Sequence, residues 1–172
     1  QNNINGLNLT PLSHKTCFLS LASKVPFAHP SVMLRQDFLK NNNLLYGQSD
    51  YKIAEDFDLW MRMYIRNAIF GNVNNVLFKY RTLDNSLSKV NSIGISKDTK
   101  KLLNNFLQDN KYNLIKALEN LPEQLNNEEK ALVVRLVFKL IIKSFKLPPL
   151  KHLKTINKKI VVCTVLSEMF NV

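Results

Sequence analysis

Apolar residues recur at helical spacing in two stretches of the first half of the chain. Residues 14–24 predict a short amphipathic helix, because Phe18, Leu21 and Ala22 fall on one face and Pro26 follows its end. Residues 54–67 predict a longer helix, since its apolar positions run from Phe57 to Ile65. The acidic residues of this second stretch fall in the first turn, where the helix dipole favours negative charge.

Short apolar runs between and after these helices predict buried strands. Residues 28–34 carry Val32, Met33 and Leu34 after a proline, and residues 35–42 then predict one or two helical turns. Residues 69–73 and 76–80 predict two further strands, separated by the turn-prone pair Asn74 and Asn75.

Beyond Ser88 the spacing of apolar residues becomes that of long helices. Helices are predicted over residues 96–109, 112–121 and 127–145, and with interruptions over 149–170. The change falls near residues 89–96 and predicts two units, an α/β segment over 1–90 and an α-helical appendage over 91–172.

Composition excludes several kinds of site. The four glycines stand singly, so the segment cannot form a glycine-rich phosphate cradle. Cys17 and Cys163 match neither zinc-ligand spacing nor a disulfide framework, which favours a reducing compartment such as the cytoplasm. The net charge of +11 is weak support for an anionic partner, because the same chain is also crowded with asparagine.

Three sequence blocks carry the most specific information. The first is F-A-H-P-S-V-M-L-R over 27–35, the second is A-E-D-F-D-L-W-M-R over 54–62, and the third is Tyr80-Arg81 followed by Ser86 and Ser88. In order and separation they resemble the second half of the catalytic domain of family 2 glycosyltransferases. This resemblance implies an α/β fold, namely the acceptor-side half of a Rossmann-like GT-A domain, followed by the helical appendage.

The resemblance implies an inverting transfer of sugar from a nucleotide-sugar donor to a hydroxyl of a glycan or glycolipid, as in surface polysaccharide or lipopolysaccharide synthesis. It assigns the catalytic base to Asp56. The chemistry of the residue fits, since inverting transfer needs a carboxylate that takes the acceptor proton and a helix N-terminus holds one ionised by about 0.3 to 1 kcal/mol. The alternative is that Asp56 only caps the helix.

Further substrate contacts are implied for Glu55, His29, Arg81, Ser86 and Ser88. Glu55 would orient the acceptor, and His29 either lines the acceptor pocket or is a buried, hydrogen-bonded imidazole. Arg81 and the two serines either reach the departing diphosphate or belong to an ordinary strand end and turn. Many members of the family carry histidine where this chain has Leu83, a departure that weakens the predicted role of this loop.

A divalent metal, Mg or Mn, is expected for the complete enzyme, but its ligands are not expected in this chain. Asp56-Phe57-Asp58 spells D-x-D, yet the metal-binding motif of the family lies in the nucleotide-binding half, and no aspartate precedes Asp37. Asp58 is therefore interpreted as structural, Trp60 as core, and Arg62 as part of an ion pair. The chain by itself is expected to be inactive.

Residues 130–159 contain nine lysines or arginines and no acid, with the cations opposite an apolar helix face. This basic helix favours contact with an anionic membrane surface, and hence a peripheral location on the inner face of the cell membrane. Aromatic residues do not interleave with the basic run, which argues against nucleic acid. The alternative function is a non-catalytic basic module that binds a membrane or a protein partner.

Overall fold

The computed structural model describes residues 10–51, 53–81, 83, 85–121 and 125–142. In chain order the helices are α1 (His14–Leu21), α2 (Gln36–Asn41), α3 (Glu55–Ile65), α4 (Leu87–Val90), α5 (Ser92–Asp109), α6 (Lys111–Glu119) and α7 (Asn127–Ile142). A 3-10 turn, His29–Ser31, precedes α2. The predicted helix over residues 149–170 lies outside the described residues.

Helix α1 is the centre of the core. It begins with a capping box, in which Ser13 and Thr16 each accept a hydrogen bond from the other's backbone amide. All side chains from Thr16 to Leu21 are buried, so this helix is covered on every side. It packs against α3, α6 and α7, while α5 contacts α3 and α6.

Helices on both sides of the predicted boundary at residues 89–96 share one hydrophobic core. The fully buried members from the first half include Leu19, Leu59 and Trp60, and those from the second half include Leu114 and Leu136. One buried carboxylate connects the two halves directly. Glu129 Oε1 of α7 accepts hydrogen bonds from the Leu12 amide at 3.0 Å and from the Thr16 hydroxyl at 2.8 Å.

The predicted α/β fold, a partial GT-A domain of Rossmann-like type, is wrong for the described residues, which form helices and loops without a strand. Residues 28–34 do not form the buried strand, because Pro30 lies in the 3-10 turn and the Ser31 hydroxyl closes it onto the Ala28 carbonyl at 2.8 Å. Met33, expected inside, is 96% exposed.

The two strands predicted over 69–73 and 76–80 are also absent. Most of their apolar side chains face outward, with Ile69 86% exposed, whereas Phe70 is partly buried against the core. A β-rich composition reflects packing on a sheet, and in the described part of the chain these segments have no neighbouring strand to pair with. Instead, the backbone amide of Asn72 donates to the Leu12 carbonyl at 3.1 Å, and this bond connects the segment to the residues just before α1.

A second hydrogen bond between this segment and α1 involves His14 and depends on pH. Nδ1 of His14 accepts a hydrogen bond from the Phe70 amide at 3.2 Å, which requires the neutral ring, and burial lowers the pKa of His14. Below pH 6.5, the ordinary pKa of histidine, His14 is protonated in the unfolded chain, whereas in the folded chain its lower pKa keeps it neutral to a lower pH. The free energy of unfolding should therefore lose the His14 contribution as pH falls from about 6.5 toward the lower folded pKa.

The test is urea unfolding of the wild type and of His14→Gln between pH 5 and pH 8. We expect the wild type to lose more stability than the variant on acidification, because the variant has no ring to protonate. Identical pH profiles for the two proteins would show that the bond from Phe70 does not depend on the protonation of His14.

Candidate functional site

The N-terminus of α3 carries two acidic residues that are not buried, Glu55 and Asp56, which we call the acidic pair. Glu55, Asp56 and Asp58 fall in its first turn, and Ala54, the residue before the helix, supplies no side-chain cap. Asp56 Oδ1 accepts a hydrogen bond from the Phe57 amide at 2.7 Å, so one carboxylate oxygen compensates for the missing cap. The side chain of Asp56 remains 24% exposed, so a ligand can reach it.

His29 faces the other oxygen of this carboxylate. The 3-10 turn places its Nδ1 3.6 Å from Asp56 Oδ2, and its side chain is 43% exposed. The interpretation of His29 as a buried, hydrogen-bonded imidazole is therefore excluded. A protonated ring at this distance would form an ion pair with Asp56, and a small hydroxyl group bound here would contact both side chains.

Two aromatic residues complete what we call the aromatic–acid cluster, which consists of His29, Tyr46, Asp56 and Trp60. Tyr46 stacks on His29 with ring centroids 5.2 Å apart, and both rings meet Trp60 edge-on at 6.2 Å and 6.1 Å. Trp60 follows Asp56 by one helical turn and is buried beneath the other rings. Its indole Nε1 has no acceptor among the described residues.

Tyr46 lies in the negative field of the acidic pair. Its pKa is raised by burial first, and then by the charges of Asp56 and Glu55. The phenol therefore stays protonated at neutral pH and is available as a hydrogen-bond donor.

Arg62 fixes the loop that carries Tyr46. The sequence predicts an ion pair for Arg62 without a named partner, and the partner is Asp58, whose Oδ2 accepts from Arg62 Nε at 2.7 Å. Asp58 is buried, as a structural residue would be. The other two guanidinium nitrogens donate to Gln48 Oε1 at 2.7 Å and to the Leu45 carbonyl at 2.8 Å. Three bonds from one planar group thus hold both the helix and the loop.

The loop between α2 and α3 also fixes itself. The Leu45 amide donates to Gln48 Oε1 at 2.9 Å, and Gln48 Nε2 donates to the Asn43 carbonyl at 3.0 Å. Gly47 has φ +69°, a left-handed conformation that glycine adopts without a steric penalty, directly after Tyr46. Sequence reasoning missed Tyr46 because the contacts that place it come from Arg62, which lies far along the chain.

Glu55 lies beside Asp56 in the first turn of α3, whereas no contact links Arg81 or Ser86 to the cluster in the described part of the chain. Arg81 is exposed, and the Ser86 carbonyl accepts amides of the first turn of α4, the short helix that contains Ser88. Within the described ranges neither Arg81 nor Ser86 has a hydrogen bond or ion pair with the acidic pair. Leu83 is exposed in the same loop. The role of these residues in substrate binding stays a prediction.

The basic helix uses its apolar face inside the protein. Leu132, Leu136 and Leu140 of α7 are buried in the core, so they do not form a free face over the described part of this helix. No helix in the described ranges is long and apolar enough to cross a membrane. Residues 143–159, including the cations Lys143 and Lys146, lie outside the described residues, and membrane contact through 130–159 stays a prediction.

The described residues contain no group of three or more His, Cys, Asp or Glu side chains that could hold a metal ion. Comparisons with protein-family models, with curated proteins and with solved structures find no match. The interpretation of the aromatic–acid cluster therefore depends on its own geometry and on the three sequence blocks.

Proposed function

We propose that this chain carries the acceptor side of an inverting glycosyltransferase site, in which Asp56 is the general base. The observation that carries the proposal is the position of Asp56, whose side chain is 24% exposed and whose Oδ2 lies 3.6 Å from Nδ1 of His29. The order of the H-P-S, E-D-x-D-L-W-x-R and Y-R blocks supports the same assignment.

In this reaction the acceptor hydroxyl lies against Asp56 Oδ2. The carboxylate takes the hydroxyl proton as the oxygen forms a bond to the anomeric carbon of the donor sugar. The bond from that carbon to the diphosphate breaks on the opposite face, and the nucleoside diphosphate leaves with the electron pair. Attack from the face opposite the leaving group inverts the anomeric configuration.

The surrounding side chains prepare this carboxylate for proton abstraction. The Phe57 amide holds one oxygen, which fixes the carboxylate and leaves the other oxygen for the substrate. His29 limits the positions that a hydroxyl can take beside Oδ2. Glu55, the preceding residue on α3, is proposed to orient the acceptor. The divalent metal expected for the complete enzyme stays a prediction, and no step is assigned to it here because its ligands are not expected in this chain.

The proposal extends to a nucleotide-sugar donor and a glycan or glycolipid acceptor on the cytoplasmic side of the cell membrane. The direct test uses the protein purified under native conditions from its source organism, with any polypeptide that co-purifies. Uridine, guanosine and thymidine diphosphate sugars are offered together with simple aryl glycosides as acceptors.

We expect one new glycosidic bond whose anomeric configuration, read by NMR, is opposite to that of the donor. Products with the donor configuration would contradict an inverting reaction with Asp56 as base. The absence of any transfer, or hydrolysis of the donor alone, would contradict the assignment as a transferase.

A further inference from the structure

The aromatic–acid cluster exposes parts of two offset-stacked rings at the surface. Tyr46 is 42% exposed and the His29 side chain 43% exposed, and their planes differ by only 30°. The buried Trp60 contacts both rings edge-on and occupies the space beneath them. The parts of the two rings that the offset leaves uncovered form an aromatic surface, which we call the platform, beside the Asp56 carboxylate.

A platform of this kind fits one face of a sugar ring. A pyranose with equatorial hydroxyls has a face of C–H bonds, which carry slight positive charge and are attracted to the negative face of an aromatic ring. Its hydroxyls project from the rim of the ring, where the Asp56 carboxylate and the Tyr46 phenol can bind them. Ligand sites commonly combine an apolar surface with a few polar groups that fix orientation.

The charges around the platform exclude acidic sugars. Asp56 and Glu55 both act on Tyr46, since both raise the pKa of its phenol after the larger effect of burial. The nearby Arg62 does not offset them, because its positive charge is balanced by the Asp58 carboxylate, with which it forms an ion pair at 2.7 Å. A carboxylate or phosphate on the bound sugar would meet like charge at short range.

We propose that Tyr46 and His29 form the stacking surface for the acceptor, and that this acceptor is a pyranose that is neutral or carries an amino group, not an acidic one. The inference rests on the proposed function, since it names the substrate class that Asp56 would deprotonate. It adds Tyr46 as a binding residue that determines specificity. The bonds from Arg62 hold the loop in place before the sugar arrives, which lowers the entropic cost of binding.

The experiment titrates the full chain with four probes and follows Trp60, the only tryptophan, by the NMR signal of its indole N–H. The probes are the methyl glycosides of glucose, N-acetylglucosamine, glucosamine and glucuronic acid. We expect saturable shifts with the first three and binding of the glucuronide that is at least about tenfold weaker, from repulsion by the acidic pair.

Three variants separate stacking from general effects. Tyr46→Ala should weaken binding of the neutral sugars by about tenfold or more, since one aromatic contact is worth about that ratio, whereas Tyr46→Phe should keep most of the affinity. Tyr112→Ala removes an exposed tyrosine of α6 and should change nothing. Retained far-ultraviolet circular dichroism of Tyr46→Ala would confirm that the loss is not unfolding.

Equal affinity for the glucuronide, or unchanged binding by Tyr46→Ala, would overturn the inference. So would the absence of shifts with all four probes. These outcomes are separate from failure of the proposed function, which is measured by transfer and by the Asp56 variants. Sugar binding that needs Tyr46 but occurs without transfer would retain the binding platform and reject the transferase.

Discussion

Exchanging Asp56 for asparagine is expected to lower the rate of the proposed sugar transfer by about 10² to 10⁴-fold, the range expected when a general base is removed. Asparagine keeps the shape of the side chain and can still accept the Phe57 amide, so the end of α3 should be preserved. It cannot take the acceptor proton. The measurement is the initial rate of nucleoside diphosphate release in the presence of acceptor, with the protein purified as above.

Asp37→Asn is the matched control for this change. Asp37 is the second residue of α2, as Asp56 is the second residue of α3, and it is exposed. Both exchanges remove one negative charge from the first turn of a helix and should cost a similar 0.3 to 1 kcal/mol or so of stability. Transfer by Asp37→Asn should equal that of the wild type. Comparable rates for the two variants would exclude Asp56 as the base.

Exchanging Glu129 for alanine should lower the free energy of unfolding by about 3 to 5 kcal/mol, as expected when a buried charged acceptor is removed. Glu129 accepts from the Leu12 amide, the Thr16 hydroxyl and, at 3.1 Å, the Asn126 amide. The backbone amide of Glu129 donates to Asn126 Oδ1 at 2.8 Å, so Asn126 and Glu129 form a capping box at the start of α7. The same Glu129 carboxylate also binds the start of α1. Without it, buried donors lose their acceptor.

Two variants test this account by urea unfolding. Glu129→Gln keeps an acceptor oxygen and should cost less than half as much as alanine, while Glu119→Ala, at an exposed position of α6, should stay within about 0.5 kcal/mol of the wild type. A cost for Glu129→Ala as small as that for Glu119→Ala would mean that the link between α1 and α7 contributes little to stability.

The helices were predictable because their signals are local. The apolar spacing and acidic first turn of residues 54–67 correspond to α3, and the patterns over 96–109, 112–121 and 127–145 correspond to α5, α6 and the described part of α7. The strands were not predictable in the same way. Whether a run such as residues 76–80 becomes a strand depends on a partner elsewhere, and short apolar runs carry no information about that partner.

The candidate site was only partly predictable for the same reason. The sequence placed Asp56 and Glu55 at a helix N-terminus, and an Asp58–Arg62 pair follows from the spacing of four residues on one helix. It gave no indication that Arg62 also binds Gln48 and the Leu45 carbonyl. Those contacts bring Tyr46 to His29, and they depend on how a loop of polar residues folds back onto α3.

The central claim is that Asp56 takes a proton from the acceptor, and chemical rescue tests it most directly. Asp56→Ala removes the carboxylate at a partly exposed position, where a small carboxylate from solution can take its place. We predict that sodium formate raises the transfer rate of this variant in a saturable way, and that sodium chloride at equal ionic strength does not. A rate that formate leaves unchanged, or an alanine variant as fast as the wild type, would contradict the assignment of Asp56 as the base.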